Sequence, residues 1–189
     1  MKNKWLDAFA LPLIVCIVLG VGYVFLSPPC GGARERARRA DCANSLRQLG
    51  LALHMYAADN EESFPDQLAA IGYYAKQTDL LICPSADPET FSRAPDWSRI
   101  GPSNTCYYYI AGGSEGSRPA DHVQMFCPPE THKGEGGNIL FVGGYVKWHL
   151  AEADEDETFW DELQRSGITP EMVAAATNRI IHVDDLNLD

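Results

Sequence analysis

Hydrophobic residues near the start of the chain form one uninterrupted run. Residues 8–26, AFALPLIVCIVLGVGYVFL, contain no charged side chain, and a helix of this length covers the hydrocarbon core of a bilayer. A cleaved secretory signal is the alternative, because Lys2 and Lys4 precede the run. Signal peptides, however, have apolar cores of only about 7–15 residues. The pattern therefore predicts a transmembrane helix that stays on the protein.

A helical period follows this run. Residues 27–32, SPPCGG, are expected to interrupt the first helix, because proline and glycine disfavour helix interiors. Over residues 33–62 apolar side chains then recur at spacings of three and four, as on one face of an α-helix. This stripe consists of Cys42, Leu46, Leu49, Leu53 and Tyr56. We expect a helix of about 45 Å that buries the stripe and ends before Pro65.

Shorter apolar segments after the helix predict strands. CYYYI at 106–110 and HVQMFC at 122–127 are rich in residues that favour strands. Residues 85–105 and 112–121 hold many proline, glycine and polar residues, which are typical of loops. The sequence therefore predicts a small sheet joined by long loops.

A β-hairpin is predicted for residues 138–149. The segments NILFV and YVKWH flank Gly143 and Gly144, and two glycines supply the positive φ angles of a two-residue type I′ turn. This register places four side chains on one face of the hairpin, namely Ile139, Phe141, Val146 and Trp148. We expect that face to pack on the helical stripe. The predicted fold class is α+β, with an N-terminal transmembrane helix and a long helical spine packed on a small antiparallel β-sheet.

The end of the chain is acidic. The formal net charge is -11, and residues 151–189 hold 11 acidic and two basic side chains. Thr158 and Thr169-Pro170 are N-terminal capping signals for two short helices. Four apolar residues of this tail are expected to dock on the domain, namely Phe159, Trp160, Leu163 and Ile168. Without a basic stripe, nucleic acid is excluded as a partner, because neutralisation of phosphates supplies much of that affinity.

Four cysteines of the predicted domain favour disulfides. Cys42, Cys83, Cys106 and Cys127 are widely spaced and form no C-x-x-C pair, which suits disulfides better than a zinc site. Three pairings are possible, and the spacing does not choose among them. Disulfides imply an oxidising compartment, whereas the four arginines within residues 34–39 favour a cytoplasmic domain by the positive-inside rule.

His132 is the residue to weigh for chemistry. The spacing G-x-S-x-G occurs once, as GGSEG at 112–116, but these residues lie in a predicted loop rather than at the strand-to-helix turn that a nucleophile elbow requires. A metal site would gather Cys127, His122 and His149 around it, but C-x4-H without a second cysteine pair is not a typical zinc pattern. We therefore expect no catalytic, cofactor-binding or metal-binding residue, and interpret His132 as a loop residue that fixes the approach to the hairpin.

Four segments, in order, resemble a known class of proteins. They are ARERARRADCANSLRQLGLALHMYAADNEESFP, LLICPSAD, CYYYIAGG and HKGEGGNILFVGGYVKW, within residues 33–149. Together they resemble the pilin-like and pseudopilin-like proteins of type II secretion and type IV pilus type, in the branch with a C-terminal H-x9-DG motif. Here the glycine pair stands in place of Asp-Gly, with ten residues between it and the histidine. The structural motif comprises His132, Asn138, Gly143, Gly144 and Trp148.

The resemblance implies a non-enzymatic protein without a cofactor, a structural or assembly component of a secretion or surface-filament system. It implies a single-pass protein of the cytoplasmic (inner) membrane with an extracytoplasmic C-terminal domain. Its partners would be the lipid bilayer and other pilin-like proteins, through the helical spine. The expected organisation is an anchor and hinge at 1–32, a pilin-like domain at 33–150, and an acidic, partly helical tail at 151–189.

The N-terminus departs from that family. It lacks the glycine-ended leader and the Phe-Thr-Leu-Ile-Glu run that a prepilin peptidase processes, so we expect an atypical member without this processing. Two alternatives remain open. One is a tethered extracytoplasmic binding module that uses a pilin-like head, and the more distant one is a membrane-bound metal enzyme.

Overall fold

The structure is a computed structural model that describes residue 16 and residues 31–114, 116–152 and 157–186. The chain divides into two units, Met1–Arg34 and Glu35–Asp189. Within the described residues, no helix is both long and apolar enough to cross a membrane. The predicted span at 8–26 lies outside the described residues, apart from Cys16, and stays a prediction.

The first long element is helix α1 (Gly31–Asp59). It begins inside the segment predicted to interrupt a helix, because glycine is tolerated where a helix starts; residues 27–30 lie outside the described residues. The predicted stripe is confirmed. Its members Cys42, Leu46, Leu49 and Leu53 are fully buried, and Tyr56 is partly buried against the same core.

The described residues form one five-stranded sheet. Its strands are β1 (Tyr108–Ala111), β2 (Val123–Phe126), β3 (Gly136–Phe141), β4 (Val146–Leu150) and β5 (Ile180–His182). Their order is β4-β3-β2-β1-β5. The first four pair antiparallel in sequence order, whereas β5 lies parallel to β1. The predicted strands near 106–110 and 122–127 are confirmed. The sheet is mixed rather than antiparallel, because an unpredicted strand from the tail joins its edge.

The turn of the β3–β4 hairpin differs from the prediction. The Gly144 amide donates to the Phe141 carbonyl (2.9 Å), and the Phe141 amide donates to the Tyr145 carbonyl (3.0 Å). Of the two glycines, Gly144 has a positive φ of 81°. A tight turn followed by one left-handed residue makes a three-residue loop. The predicted two-residue type I′ turn, which needs positive φ at both glycines, is therefore wrong.

The longer loop shifts the strand register by one residue. Leu140 pairs with Val146, and Ile139 with Lys147. Leu140 and Val146 pack in the same core cluster as α1, while Ile139 and Phe141 belong to the cluster on the opposite face. The prediction that Ile139 and Phe141 share the helix-facing side is therefore wrong, because a one-residue shift reverses the faces of a strand.

The second face of the sheet carries the tail. Helix α2 (Phe159–Arg165) begins at Thr158, whose hydroxyl and the Asp161 carboxylate form a reciprocal capping box. Helix α3 (Pro170–Ala175) begins at Thr169, whose side chain accepts from an amide in the first turn. Both predicted capping residues are confirmed. So is the docking of the tail, since Phe159, Leu163 and Ile168 are buried in the second core cluster with Trp160 packed beside them.

Candidate metal centre

Four buried side chains from four separate parts of the fold meet between α1 and the sheet. Cys42 comes from α1, Cys83 from the loop after a short 3₁₀ turn (Thr78–Leu81), Cys127 from the residue after β2, and His132 from the end of a second 3₁₀ turn (Pro129–His132). Their sulfur and ring nitrogen atoms all lie within 4.8 Å of one another. We call these four residues the thiol–histidine cluster.

Local backbone geometry brings Cys127 and His132 to the same place. The Cys127 amide donates to the carbonyl of Asn138 (2.9 Å), which fixes Cys127 against β3. Pro129 then begins the 3₁₀ turn, and Lys133, with a left-handed φ of 60°, ends it. The chain therefore reverses direction within six residues, and His132 returns toward the sulfur of Cys127.

The two nitrogens of the His132 ring have different partners. Nε2 lies 3.4 Å from Cys83 Sγ, and Nδ1 lies 2.9 Å from Glu35 Oε1. The edge of the Trp148 ring packs on the imidazole, with ring centroids 5.1 Å apart and planes at 82°. The ring is therefore oriented so that Nε2 points at the sulfurs and Nδ1 at a carboxylate.

Glu35 is a buried carboxylate on the first turns of α1. The Ser85 hydroxyl donates to Oε1 (2.8 Å), and Arg38 Nη1 lies 3.8 Å from Oε2. Burial raises the pKa of Glu35, but the hydrogen bonds with His132 and Ser85 outweigh this effect and lower the pKa below its usual value. The carboxylate is therefore held in its charged form, in which it accepts a hydrogen bond from His132 Nδ1.

Cys106 lies beside the cluster without belonging to it. The Cys83 amide donates to Cys106 Sγ (2.9 Å), and Cys106 Sγ contacts the Leu81 carbonyl (3.6 Å). Tyr107, the next residue, directs its hydroxyl at Cys42 Sγ (3.7 Å). Cys106 therefore supports the loop that carries Cys83, while a different sulfur, that of Cys127, completes the group of four.

The electrostatics of the cluster favour a positive charge among the sulfurs. Contact with Cys106 raises the pKa of Cys83, but hydrogen bonds with Cys127 and Cys42 outweigh it and lower this pKa to about 6. Burial lowers the pKa of His132, but the adjacent sulfurs of Cys42 and Cys83, together with Glu35, raise it to about 10. The two shifts share a cause, which is the attraction between a sulfur anion and a positive charge held beside it.

Two kinds of chemistry use a cysteine, a histidine and a carboxylate in line. In nucleophilic catalysis, Cys83 would be the nucleophile, His132 the base and Glu35 the residue that orients it. That interpretation requires a substrate to reach the sulfur, yet Cys83 and His132 are buried, and the cavity next to them is lined by Ser85, Pro128 and Lys133 rather than by either group. Metal binding needs no such access, and it also uses the two remaining thiols.

The predicted site residues separate into two groups. Asn138 donates from Nδ2 to the Arg39 carbonyl (3.0 Å), and Trp148 packs on His132, so both lie at the cluster. Gly143 and Gly144 lie at the opposite end of the hairpin, in its turn. His132 is buried among cysteines at the end of a 3₁₀ turn, and its interpretation as the residue that fixes the approach to the hairpin stays a prediction.

Of the four residues that were weighed from the sequence as a metal site and rejected, two come together in the structure. Cys127 and His132 do come together, but with Cys42 and Cys83. His149 lies beside Phe141 on the opposite face of the sheet, and His122 is likewise outside the group. The spacing rule failed because it looked for ligands close together in sequence, whereas Cys83 and His132 are 49 positions apart. The usable signal was the place of Cys42 on the buried stripe of α1.

The four cysteines predicted to form disulfides are present as free thiols in the structure. Three of them belong to the thiol–histidine cluster, and Cys106 is the fourth. Disulfide formation stays a prediction, and it now competes with metal binding for the same sulfurs.

Comparison with known proteins finds a family model that matches part of the chain. Residues 32–78 match the family model SBP_bac_10, described as a protein of unknown function (DUF1559). This family is often associated with pilin-like proteins. The match spans about a quarter of the chain; it includes Glu35 and, of the four cluster residues, only Cys42. No curated protein and no solved structure matches the chain.

Proposed function

We propose that this chain is a membrane-anchored, non-enzymatic protein of pilin-like or pseudopilin-like type, a structural or assembly component of a secretion or surface-filament system. One observation carries the proposal. Helix α1 buries one face on the sheet and turns another toward solvent, where Leu51 and Met55 are 62% and 46% exposed. An exposed apolar helix face is what assembly through a helical spine requires.

A shallow groove extends this exposed face. It has a volume of about 310 Å³ and runs between α1 and the segment that follows it. Its lining combines apolar side chains, among them Leu51, Met55 and Leu80, with the polar Gln48 and Gln77. We propose that the helix of another pilin-like protein packs along this groove, because protein interfaces combine apolar and polar side chains in this way.

In this proposal the anchor is the apolar run at 8–26, and the domain that follows lies outside the cytoplasm. The match of residues 32–78 to a family associated with pilin-like proteins supports the proposal over α1.

Photo-crosslinking in native membranes tests the assembly role. A photoreactive amino acid replaces Leu51 or Met55 in the full-length chain, and replaces Glu89, an exposed polar residue of a loop, in the matched control. We expect crosslinks to a pilin-like protein or to a second copy of the chain from the two helix positions, and none above background from Glu89. Equal yields at all three positions would contradict the proposal.

The alternative, a tethered binding module, is favoured by a different cavity. This cavity has a volume of about 580 Å³ and is lined by Phe91, Tyr108 and Trp160. The Arg179 guanidinium stacks on Phe91 and Tyr108, at 5.0 and 4.9 Å from the ring centroids. A photoreactive residue at Lys133, which also lines this cavity, distinguishes the two functions. Crosslinks from Lys133, with none from Leu51, would favour the binding module.

A further inference from the structure

We propose that the thiol–histidine cluster binds one zinc ion through the thiolates of Cys42, Cys83 and Cys127 and through Nε2 of His132. The ion would fasten α1 to the loop and strand ends on the sheet. This inference goes beyond the proposed assembly role and does not depend on it, since it rests only on the buried side chains of the domain.

The spacing of the four ligand atoms fits a tetrahedral ion. With Zn–S bonds of about 2.3 Å and Zn–N bonds of about 2.0–2.1 Å, tetrahedral geometry places a sulfur and a nitrogen about 3.6 Å apart, and two sulfurs about 3.8 Å apart. Cys83 Sγ and His132 Nε2 are separated by 3.4 Å. The widest pair in the cluster stays within 4.8 Å, so closure around the ion requires movements of about 1 Å or less, which side-chain torsions supply.

The donor set selects the metal and its role. Three thiolates with one imidazole form a common structural zinc site, in which the protein fills all four positions of the tetrahedron. Calcium and magnesium prefer oxygen ligands, which the cluster does not offer as direct donors. All four residues are buried, so no position is left for water or substrate. The geometry therefore points to a structural ion rather than to a catalytic one.

Glu35 completes the site from outside the cluster. Histidine ligands usually donate their second ring N–H to a carboxylate, which fixes the tautomer and the ring orientation. The 2.9 Å contact between His132 Nδ1 and Glu35 Oε1 has this arrangement. His132 Nδ1–H donates a hydrogen bond to Glu35 and keeps its proton, which leaves the lone pair of Nε2 facing the sulfurs. Glu35 is thus a positioning residue for His132, held in turn by Ser85.

The charges around the site are arranged to tolerate this ion. Three thiolates and Zn²⁺ leave one net negative charge, and Glu35 adds another. Arg38 lies 3.8 Å from the Glu35 carboxylate, and the Arg39 guanidinium lies 4.3 Å from the centre of the Trp148 ring that packs on His132. Both arginines are only partly exposed, but Arg39 is also ion-paired with Glu135, so Arg38 is the cation that offsets the negative site at close range.

The structural consequence follows from the origin of the ligands. They come from α1, a loop, the end of β2 and a 3₁₀ turn, and this set includes residues 49 positions apart. An ion that joins four such segments binds only the folded arrangement, so it adds its binding free energy to the stability of that arrangement. The zinc site would therefore fix the N-terminal half of α1 on the sheet.

Metal analysis of the full-length chain tests this proposal. The full-length protein is purified from whole cells in detergent without chelator, and zinc is measured by inductively coupled plasma mass spectrometry. We expect one zinc per chain in the wild type and at least tenfold less in Cys83→Ser and Cys127→Ser. Cys106→Ser is the matched control, since it also removes a buried thiol but keeps an acceptor for the Cys83 amide, and it should retain its zinc.

A second measurement on the unmodified chain guards against variants that fail to fold. Cobalt(II) replaces zinc, and tetrahedral thiolate ligation gives sulfur-to-cobalt charge-transfer bands with intense d–d bands. Alkylation followed by peptide mapping then locates the protected thiols. We expect protection of Cys42, Cys83 and Cys127 until a chelator is added.

Three results would overturn the zinc site. One is a zinc-free chain whose mass, lowered by lost hydrogens, shows disulfides among these cysteines. Another is a zinc-free chain whose cluster thiols alkylate freely. The third is full zinc retention in both Cys83→Ser and Cys127→Ser.

A separate variant tests the role of Glu35. Glu35→Gln keeps an oxygen that accepts from His132 but removes the charge, so zinc affinity should fall by about 10- to 100-fold. Competition with a chromophoric chelator measures that affinity. Unchanged affinity, with normal zinc content, would show that Glu35 does not contribute to the site. The proposal for the four ligands would then stand without it.

Discussion

The two faces of the sheet are covered in different ways. On one face, α2 and α3 pack through apolar side chains such as Phe159, Leu163 and Ile168. On the other face, the C-terminal half of α1 packs through leucines, while its N-terminal half meets the sheet through Glu35, the thiol–histidine cluster and the contact of Asn138 with the Arg39 carbonyl. One face is therefore held by burial of apolar surface, and part of the other by a group of polar and ligating atoms.

Because of this difference, stability and metal binding should depend on different residues. Apolar packing is non-directional and stabilises any well-filled arrangement, whereas ligands fix distances to fractions of an ångström. We therefore expect substitutions on the α2 and α3 face to change stability without changing metal content. Substitutions at the cluster should change both the stability and the metal content.

The largest effect is expected on the apolar face. Phe159→Ala removes a fully buried ring that packs on Phe126, with centroids 5.8 Å apart, and should lower the free energy of unfolding by about 4 kcal/mol. Urea denaturation of the full-length chain in detergent measures it. Zinc content should be unchanged, and the half-buried neighbour Trp160→Ala should lose less. A loss of zinc in Phe159→Ala would contradict the claim that metal binding does not depend on the apolar face.

A substitution in the hairpin turn should lower stability by disturbing the packing on both faces of the sheet. Gly144→Ala forces a left-handed φ of 81° on a side chain, at about 1–2 kcal/mol. Gly144→Asn should recover part of this loss, because asparagine tolerates that region better. Thermal unfolding measures both variants. Equal stability of Gly144→Ala and wild type would contradict the three-residue loop.

A smaller effect is expected at the start of α2. Thr158→Ala removes the hydroxyl that accepts from the Asp161 amide, which should cost about 1 kcal/mol. Thr158→Ser keeps this oxygen and should stay close to wild type. Denaturant midpoints of the two variants give the comparison, and equal losses in both would show that the cap does not contribute.

The smallest effect on stability is expected at the exposed face of α1. Leu51→Ser should change the free energy of unfolding by less than about 0.5 kcal/mol, since this side chain lies largely in solvent. Crosslinking from a photoreactive residue at Met55 should nevertheless fall in this variant, because Leu51 lines the same groove. Unchanged crosslinking would remove Leu51 from the proposed interface.

Local patterns predicted the elements well and their pairing less well. The spacing of Cys42, Leu46, Leu49 and Leu53 was enough to find the buried face of α1, because a helix has one period. The glycine pair was compatible with a two-residue and a three-residue loop. Choosing the two-residue loop assigned Ile139 and Phe141 to the wrong face of the sheet. Strand β5 is three residues long and pairs with the distant β1, so no local pattern marked it.

The candidate site was the hardest part to predict. Cys127 and His132 were considered together from their spacing, but Cys42 and Cys83 join them only after α1 folds onto the sheet. Glu35 carried no signal at all, since a glutamate in the first turns of a helix is ordinary in a sequence. Sites built from distant segments depend on tertiary structure, which residue spacing alone does not contain.

Hydrogen exchange with and without zinc tests the central claim most directly. The full-length chain in detergent is compared before and after chelation, with Cys106→Ser as the matched control. We predict that amides around Cys42 and Cys127 exchange at least tenfold faster once zinc is removed, while those of Leu163 and Val173 keep their protection, because the ion joins α1 to the sheet on one face only. Exchange that rises equally on both faces, or does not change at all, would contradict a metal centre that fastens the helix to the sheet.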